Sequence, residues 1–211
     1  MTNDNRYDVS SLTEVQFEPG SNDRVLKNRL GIMSPEPMDM LEAQSLQQTM
    51  DNAIRQFSET HRFTAADICG LHRTWLGEIY DWAGNYRQVN ISKGAFPFAA
   101  AAQVPTLMAQ YERDVLASYT PCVFPDHTSL VAALAITHVE LVLVHPFREG
   151  NGRIARVLSV LMALQARLPL LNFVSITGSK RQDYFAAVQA GLDRNYSPME
   201  RLFAEIIEQS L

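Results

Sequence analysis

Two helix-length stretches of this chain, residues 126–144 and 152–168, are apolar nearly all the way round. Leu130, Ile136, Val139 and Leu143 in the first, and Val157, Leu158, Leu161 and Leu164 in the second, leave no continuous polar face. A helix without a polar face must be enclosed by other elements, so the pair is predicted to form the middle of the fold. The polar stretch His145-Pro146-Phe147-Arg148-Glu149-Gly150-Asn151-Gly152-Arg153-Ile154-Ala155-Arg156 lies where the two segments meet.

The rest of the chain supplies a shell. Residues 1–35 are polar and rich in Asn, Asp, Ser and Gly, and read as an irregular lead-in. A loose helical period runs from about Pro37 to Phe57. Thr64 is a good N-cap for a helix through Ile68, Leu71, Trp75 and Ile79, with Asp67 in its first turn. Val89 and Ile91 alternate with polar residues, and Lys93-Gly94 is a turn signal before Phe96-Pro97-Phe98, which together predict a short hairpin. Pro97 cannot donate to a ladder and belongs on an edge. Helices are expected over about 102–118, 181–194 and 198–209, the last with Pro198 at its first position. The fold class is therefore all-α: a helical bundle around a central, motif-bearing helix pair, with one short β-hairpin.

At 211 residues, 46% of them hydrophobic and 19% charged, the chain fits one well-buried domain. Its net charge of −5 and its lack of a long basic run argue against direct binding to nucleic acid. Cys69 and Cys122 have neither metal-ligand spacing nor the makings of a disulfide framework. The polar N-terminus shows no secretory pattern, and the run Val139–Val144 is too short to cross a bilayer. A cytoplasmic protein with no membrane partner is the expectation.

The polar loop has a definite chemistry. Pro146 disfavours helix at His145, so the incoming helix should end there. Gly150 and Gly152 allow positive φ and close approach of a ligand to the backbone. A helix starting near Asn151 would turn free N–H groups and the positive end of its dipole toward the loop, making an anion site. Arg153 and Arg156 share a face near that helix start, which suits an oligophosphate. Glu149 is the one acid among these groups, and a carboxylate near phosphates is usually bridged to them by Mg²⁺. His145, on the opposite lip, could take a proton from an attacking hydroxyl. Transfer of a phosphate-linked group to a hydroxyl follows. His138 is the other histidine near this loop, but it lacks further ligands at fitting spacing and reads as one more helical residue. Arg148 reads as solvated, and Trp75, Tyr80 and Trp82 as core.

Residues His145–Arg156 resemble the signature of the Fic (filamentation induced by cAMP) family, H-P-F-x-[D/E]-G-N-G-R-x-x-R, with every specified position matched. The segments Leu26–Ile32, Ile79–Gly84 with Arg87, and Lys93–Phe98 are also similar to Fic segments, so the likeness covers about residues 20–205. The resemblance implies a Fic fold over residues 21–211, with residues 1–20 as an N-terminal arm. It also implies AMP transfer from ATP to a Ser, Thr or Tyr hydroxyl of a target protein, releasing pyrophosphate.

Carried onto this chain, the resemblance makes His145 the general base, Phe147 a core anchor and Glu149 the Mg²⁺ ligand. Gly150, Asn151 and Gly152 would cradle phosphates, and Arg153 and Arg156 would neutralise charge toward the β/γ end. Lys93, Gly94, Phe96 and Phe98 would belong to a flap that pairs with an extended target segment by strand addition, one of the phenylalanines clamping a target side chain. Tyr184 is a candidate for the border of the adenine pocket. Other family chemistries remain open: transfer of UMP, phosphocholine or phosphate, or a non-catalytic nucleotide-binding module.

Many relatives carry an inhibitory pattern, [S/T]-x-x-x-E-[G/N], whose Glu pairs with the second motif arginine. Here Ser10 and Glu14 have that spacing, but Val15 follows, and Ser197 is followed by Arg201 at the Glu position. Restraint is therefore expected from a separate, small antitoxin-like partner.

Overall fold

The computed structural model describes residues 11–211. Its central helix, α5 (His127–Val144), starts where the Asp126 carboxylate accepts from the Ser129 N–H at 2.9 Å. Ala133, Leu134, Ala135 and Val139 are fully buried along it. It packs against α6 (Asn151–Gln165), whose Ile154, Val157, Leu158 and Met162 are equally enclosed, and against α9 (Ser197–Glu208). By length and composition α5 could cross a bilayer, yet in this fold its apolar surface is covered mainly by other helices.

The shell forms around this pair. α1 (Pro35–Gln56) lies against α2 (Ala65–Leu76), and α2 touches α6. α2 opens with a full capping box: Asp67 N–H donates to Thr64 Oγ1 while Thr64 N–H donates to the Asp67 carboxylate. Such a cap contributes about 1 kcal/mol and fixes where the helix begins. The hairpin is two residues per strand, β1 (Ser92–Lys93) and β2 (Phe96–Pro97), antiparallel, with Ser92 opposite Pro97 and Lys93 opposite Phe96. α8 (Arg181–Ala190) packs on α5 and α9.

The expected helix over 102–118 is interrupted. A 3₁₀ turn (Ala101–Gln103) leads into α3 (Val104–Tyr111), then a π-helical turn spans Glu112–Leu116 before the short α4 (Ala117–Tyr119). There the Glu112 carboxylate accepts from the Ala65 N–H at 2.7 Å, tying the widened turn to the start of α2. Two short elements had no strong periodic signal: a 3₁₀ turn at Thr13–Val15 and α7 (Val174–Thr177). The described part of the N-terminal arm is attached to the body, because Phe17 bridges Leu26 and buried Glu14 holds two backbone-linked partners described below.

Candidate functional site

The polar loop lines one wall of a cleft of about 730 Å³ between the hairpin, the loop and α8. His145, Glu149, Gly150, Asn151, Gly152, Arg153 and Arg156 all line it, as do Lys93, Phe96 and Phe98 from the hairpin side. Gly94, at the hairpin tip, is outside the lining. At the far end Ile176, Tyr184, Phe185 and Val188 provide apolar surface with Thr177 and Gln189 among them.

α5 ends at His145 in the left-handed conformation, φ 52° and ψ 60°, as Pro146 requires a break there. Its Nδ1 lies 2.9 Å from the Val142 carbonyl, which can only accept, so Nδ1 carries the proton and Nε2 is left as the basic nitrogen. Burial lowers the imidazole to about 4, despite the carbonyl contact, so the ring is neutral near pH 7. Phe98 stacks on it, with centroids 3.6 Å apart and planes at 20°.

The loop after His145 is closed by its own side chains. Asn151 Oδ1 accepts from Phe147 N–H and its Nδ2 donates to Phe147 O, both at 2.8 Å. Asn151 is thus turned inward to shape the loop, and what it offers an anion is its backbone N–H. Phe147 is fully buried and stacks on His72 at 3.9 Å. His72 Nδ1 accepts from Gly84 N–H at 2.8 Å, so its Nε2–H donates to Glu149 O at 3.1 Å. Desolvation holds His72 at about 4, which keeps it in this neutral, two-way role. Gly150 has φ +83°, and a Cβ there would lie 2.4 Å from the Trp75 ring. Gly152, expected to share that freedom, is an ordinary helical residue whose Cβ would meet Arg156 and Tyr184 only at 3.7 and 4.0 Å.

α6 begins without a side-chain cap. The first backbone N–H groups of this helix, at Asn151, Gly152 and Arg153, have no partner among the described residues, the first such bond being Ile154 N–H to Gly150 O. Unpaired donors at the start of a long helix favour an anion. Arg156, mostly buried and with no carboxylate partner among the described residues, adds charge beside them, and desolvation lowers its pKa. Arg153 differs from what its spacing predicts. Its Nη1 is 2.6 Å from Glu42 of α1 and its Nη2 is 3.3 Å from Glu149, so two carboxylates already oppose its charge.

Glu149 is exposed, and its Oε1 accepts from both Gly150 N–H and Arg153. Among the described residues no group of three or more His, Cys, Asp or Glu side chains forms a metal cage. A cation here would have one protein carboxylate and would depend on ligand oxygens and water for the rest, which is how Mg²⁺ is usually held beside phosphates. His138 belongs to no such site: its Nδ1 meets Ser159 Oγ at 3.1 Å and its Nε2 meets Tyr184 Oη at 2.9 Å. Fully buried, it is lowered to about 3 and orients Tyr184 in the cleft wall.

Arg87 ties these parts together, a role its place in the sequence did not reveal. It is 2% exposed and donates from Nε to His145 O at 2.7 Å, from Nη1 to Val89 O at 2.8 Å, and from Nη2 to Ala99 O at 2.5 Å. A buried guanidinium at the end of α5 is stabilised by the negative end of the helix dipole. Its neighbour Gln88 donates its N–H to the Glu14 carboxylate at 2.7 Å, and Arg148, expected to be solvated, donates from Nε to Glu14 O at 2.7 Å. Lys93 reaches across the cleft, its Nζ 3.8 Å from the centre of the Phe185 ring.

Residues 62–163 match the model of the Fic/DOC family. A protein adenylyltransferase Fic from Drosophila yakuba is 28% identical over 149 residues, covering 70% of this chain and 28% of that protein. A probable protein adenylyltransferase Fic from Escherichia coli (strain K12) is 27% identical over 144 residues, 66% of this chain and 68% of that protein. The match thus spans under a third of the fly protein. In fold, the BepC effector from Bartonella tribocorum, solved with bound AMPPNP, has a TM-score of 0.75 at 22% identity, covering 93% of this chain and 97% of that one. An ADP-bound N-terminal Fic domain from Bartonella quintana has a TM-score of 0.71 at 24% identity, covering 90% and 92%.

Proposed function

The chain carries a Fic/DOC domain, and on that premise we propose that it is a protein adenylyltransferase, moving AMP from ATP to a hydroxyl of a target protein. The observation that carries the reading is the pairing of a neutral His145, its proton fixed on Nδ1, with an uncapped helix start and Arg156 in one cleft. Base and anion site face a common space, as acyl- or phosphoryl-type transfer requires. The adenylyltransferase names of the relatives and the nucleotides bound to the structural neighbours support ATP as the donor.

In this reading the target hydroxyl attacks the α-phosphorus in line while His145 Nε2 takes its proton. The bond from the α-phosphorus to the bridging oxygen breaks, and pyrophosphate leaves. The N–H groups of Asn151, Gly152 and Arg153, with Arg156, bind the phosphate chain. The apolar end of the cleft around Ile176, Tyr184 and Val188 receives the base. Mg²⁺, held by Glu149 together with the phosphates, would neutralise charge on the leaving group. The hairpin offers an extended target segment an open strand edge, and Phe98 covers the base until that segment arrives.

Residues 21–211 would act as the domain, in a cytoplasmic setting. A separate antitoxin-like partner remains our reading of restraint, supported by two observations. Arg156 has no carboxylate partner among the described residues, and Glu14 is engaged by Gln88 and Arg148; Ser10 lies outside the described residues.

Incubation of the protein and a lysate with α-³²P-ATP or γ-³²P-ATP tests the activity. Label retained on protein only from the α position is expected. Retention only from the γ position would replace AMP transfer with phosphate transfer, and no label from either would leave a binding module or another donor. The same assay with E14G added checks restraint: strong activity released by that change alone would put the brake in this chain.

A further inference from the structure

Glu42 is remote from the motif in sequence, yet it is the most deeply placed acid near the cleft. It belongs to α1, outside the stretch that matches the family, and only 4% of its surface is exposed. Its carboxylate is fully engaged: Oε1 accepts from Tyr80 Oη at 2.8 Å and Oε2 accepts from Arg153 Nη1 at 2.6 Å, across 111 residues of sequence. The helix that carries it is fixed at the same residue, since Trp75 Nε1 donates to Glu42 O at 2.8 Å. Trp75 in turn packs under Gly150 and lies 4.6 Å below the Arg153 guanidinium.

A buried carboxylate in an apolar setting is costly unless a cation and hydrogen bonds meet it, and here both do. The more informative consequence falls on Arg153. With one nitrogen held by Glu42 and the ring of Trp75 beneath it, the guanidinium directs its other nitrogen to Glu149 Oε1. That oxygen also takes the Gly150 N–H, so both contacts use Oε1, and Oε2 has no partner among the described residues. Arg156 has no such carboxylate, so the two motif arginines are not equivalent.

We propose that Glu42 is a positioning residue: it withholds Arg153 from the nucleotide and sets it on Glu149, so that Glu149 Oε2 faces the metal ion. The inference rests on the reading of this cleft as a Mg²⁺-nucleotide site. Outer-shell partners of metal-ligating carboxylates commonly act this way, orienting the ligand and leaving one oxygen to the ion. Arg153 is then part of the ligand's support and Arg156 is the phosphate anchor.

The distinguishing test is nucleotide binding with and without metal, measured by calorimetry with AMPPNP in Mg²⁺ and in EDTA. For E42Q, Arg153 loses its buried anion and turns to the nearest remaining ones, Glu149 and the phosphates. AMPPNP should bind about tenfold more tightly in EDTA, the worth of one added charge-assisted contact. The Mg²⁺ concentration needed for half of the metal-dependent gain should rise by about 10- to 100-fold. Tyr80→Phe, which removes one hydrogen bond and leaves the ring, should move both quantities the same way by less, and carries the test if E42Q does not fold. Weakening of both affinities together would reduce Glu42 to a structural residue, and no change in either would remove it from the site. Tighter binding in both conditions with faster label transfer would make it a brake. Each of these overturns the proposal, whereas a wild-type protein that binds AMPPNP in neither condition would overturn the nucleotide reading itself.

Discussion

The two walls of the cleft are built on opposite terms. The loop from His145 to Arg153 is held from several directions: Arg87 on the His145 carbonyl, His72 on the Glu149 carbonyl, Asn151 across Phe147, and the Trp75 ring against Gly150. The hairpin opposite has two residues per strand, an exposed tip and few attachments beyond Phe98 on His145 and Lys93 on Phe185. A site that must meet developing charge gains from donors fixed before the substrate arrives. A surface that must accept an extended chain gains from open backbone edges. In the proposed reading, the chemistry falls to the stiff wall and recognition of the target to the spare one.

Three substitutions probe this contrast. The largest effect belongs to His145→Ala, which should leave AMPPNP binding within a few-fold while label transfer falls by about 10²–10⁴-fold. More than a tenth of the activity remaining would remove the base from His145. Next is Gly150→Ala on the stiff wall. Its backbone has φ +83°, and the new methyl would lie 2.4 Å from a buried Trp75. Left-handed strain and overpacking together should cost roughly 2–5 kcal/mol, read as a lowered midpoint in denaturant. The smallest effect is Gly94→Ala at the hairpin tip, where φ is +59° but nothing lies within 4 Å. Only the strain of about 1 kcal/mol applies, and global unfolding should barely register it because so little packs on the tip. Equal destabilisation by the two alanines would mean that the walls do not differ in stiffness as described.

What the sequence disclosed tracks the range of each interaction. α5 and α6 were legible because an apolar surface on every side leaves a helix no place but the interior. The start of α2 was legible because Thr64 and Asp67 form a local capping pair. The loop was legible as a unit because its signature is contiguous. Its internal division of labour was not: Asn151 turns inward, Gly152 is helical, and Arg153 is claimed by Glu42. These facts depend on which distant residues arrive beside the loop, and spacing carries no trace of that. Arg87 escaped for the same reason, since nothing local marks an arginine whose acceptors are carbonyls at 89, 99, 144 and 145. The break in the helix after Tyr111 was hidden because its residues fit a plain helix equally well, and Glu112 reaches a partner in α2.

The Arg87 guanidinium has a consequence for how such a protein can diverge. It grips main-chain oxygens at Val89 and Ala99, on either side of the hairpin, and at His145, and main-chain oxygens are present whatever side chains surround them. Residues 90–98 are therefore framed as an insert between two fixed points. Side chains there can change, and in the proposed reading so can the preference for a docked segment, without these main-chain contacts being rewritten. On the proposed function, one arginine thereby separates the pace at which the chain can change what it recognises from the pace at which it can change how it reacts.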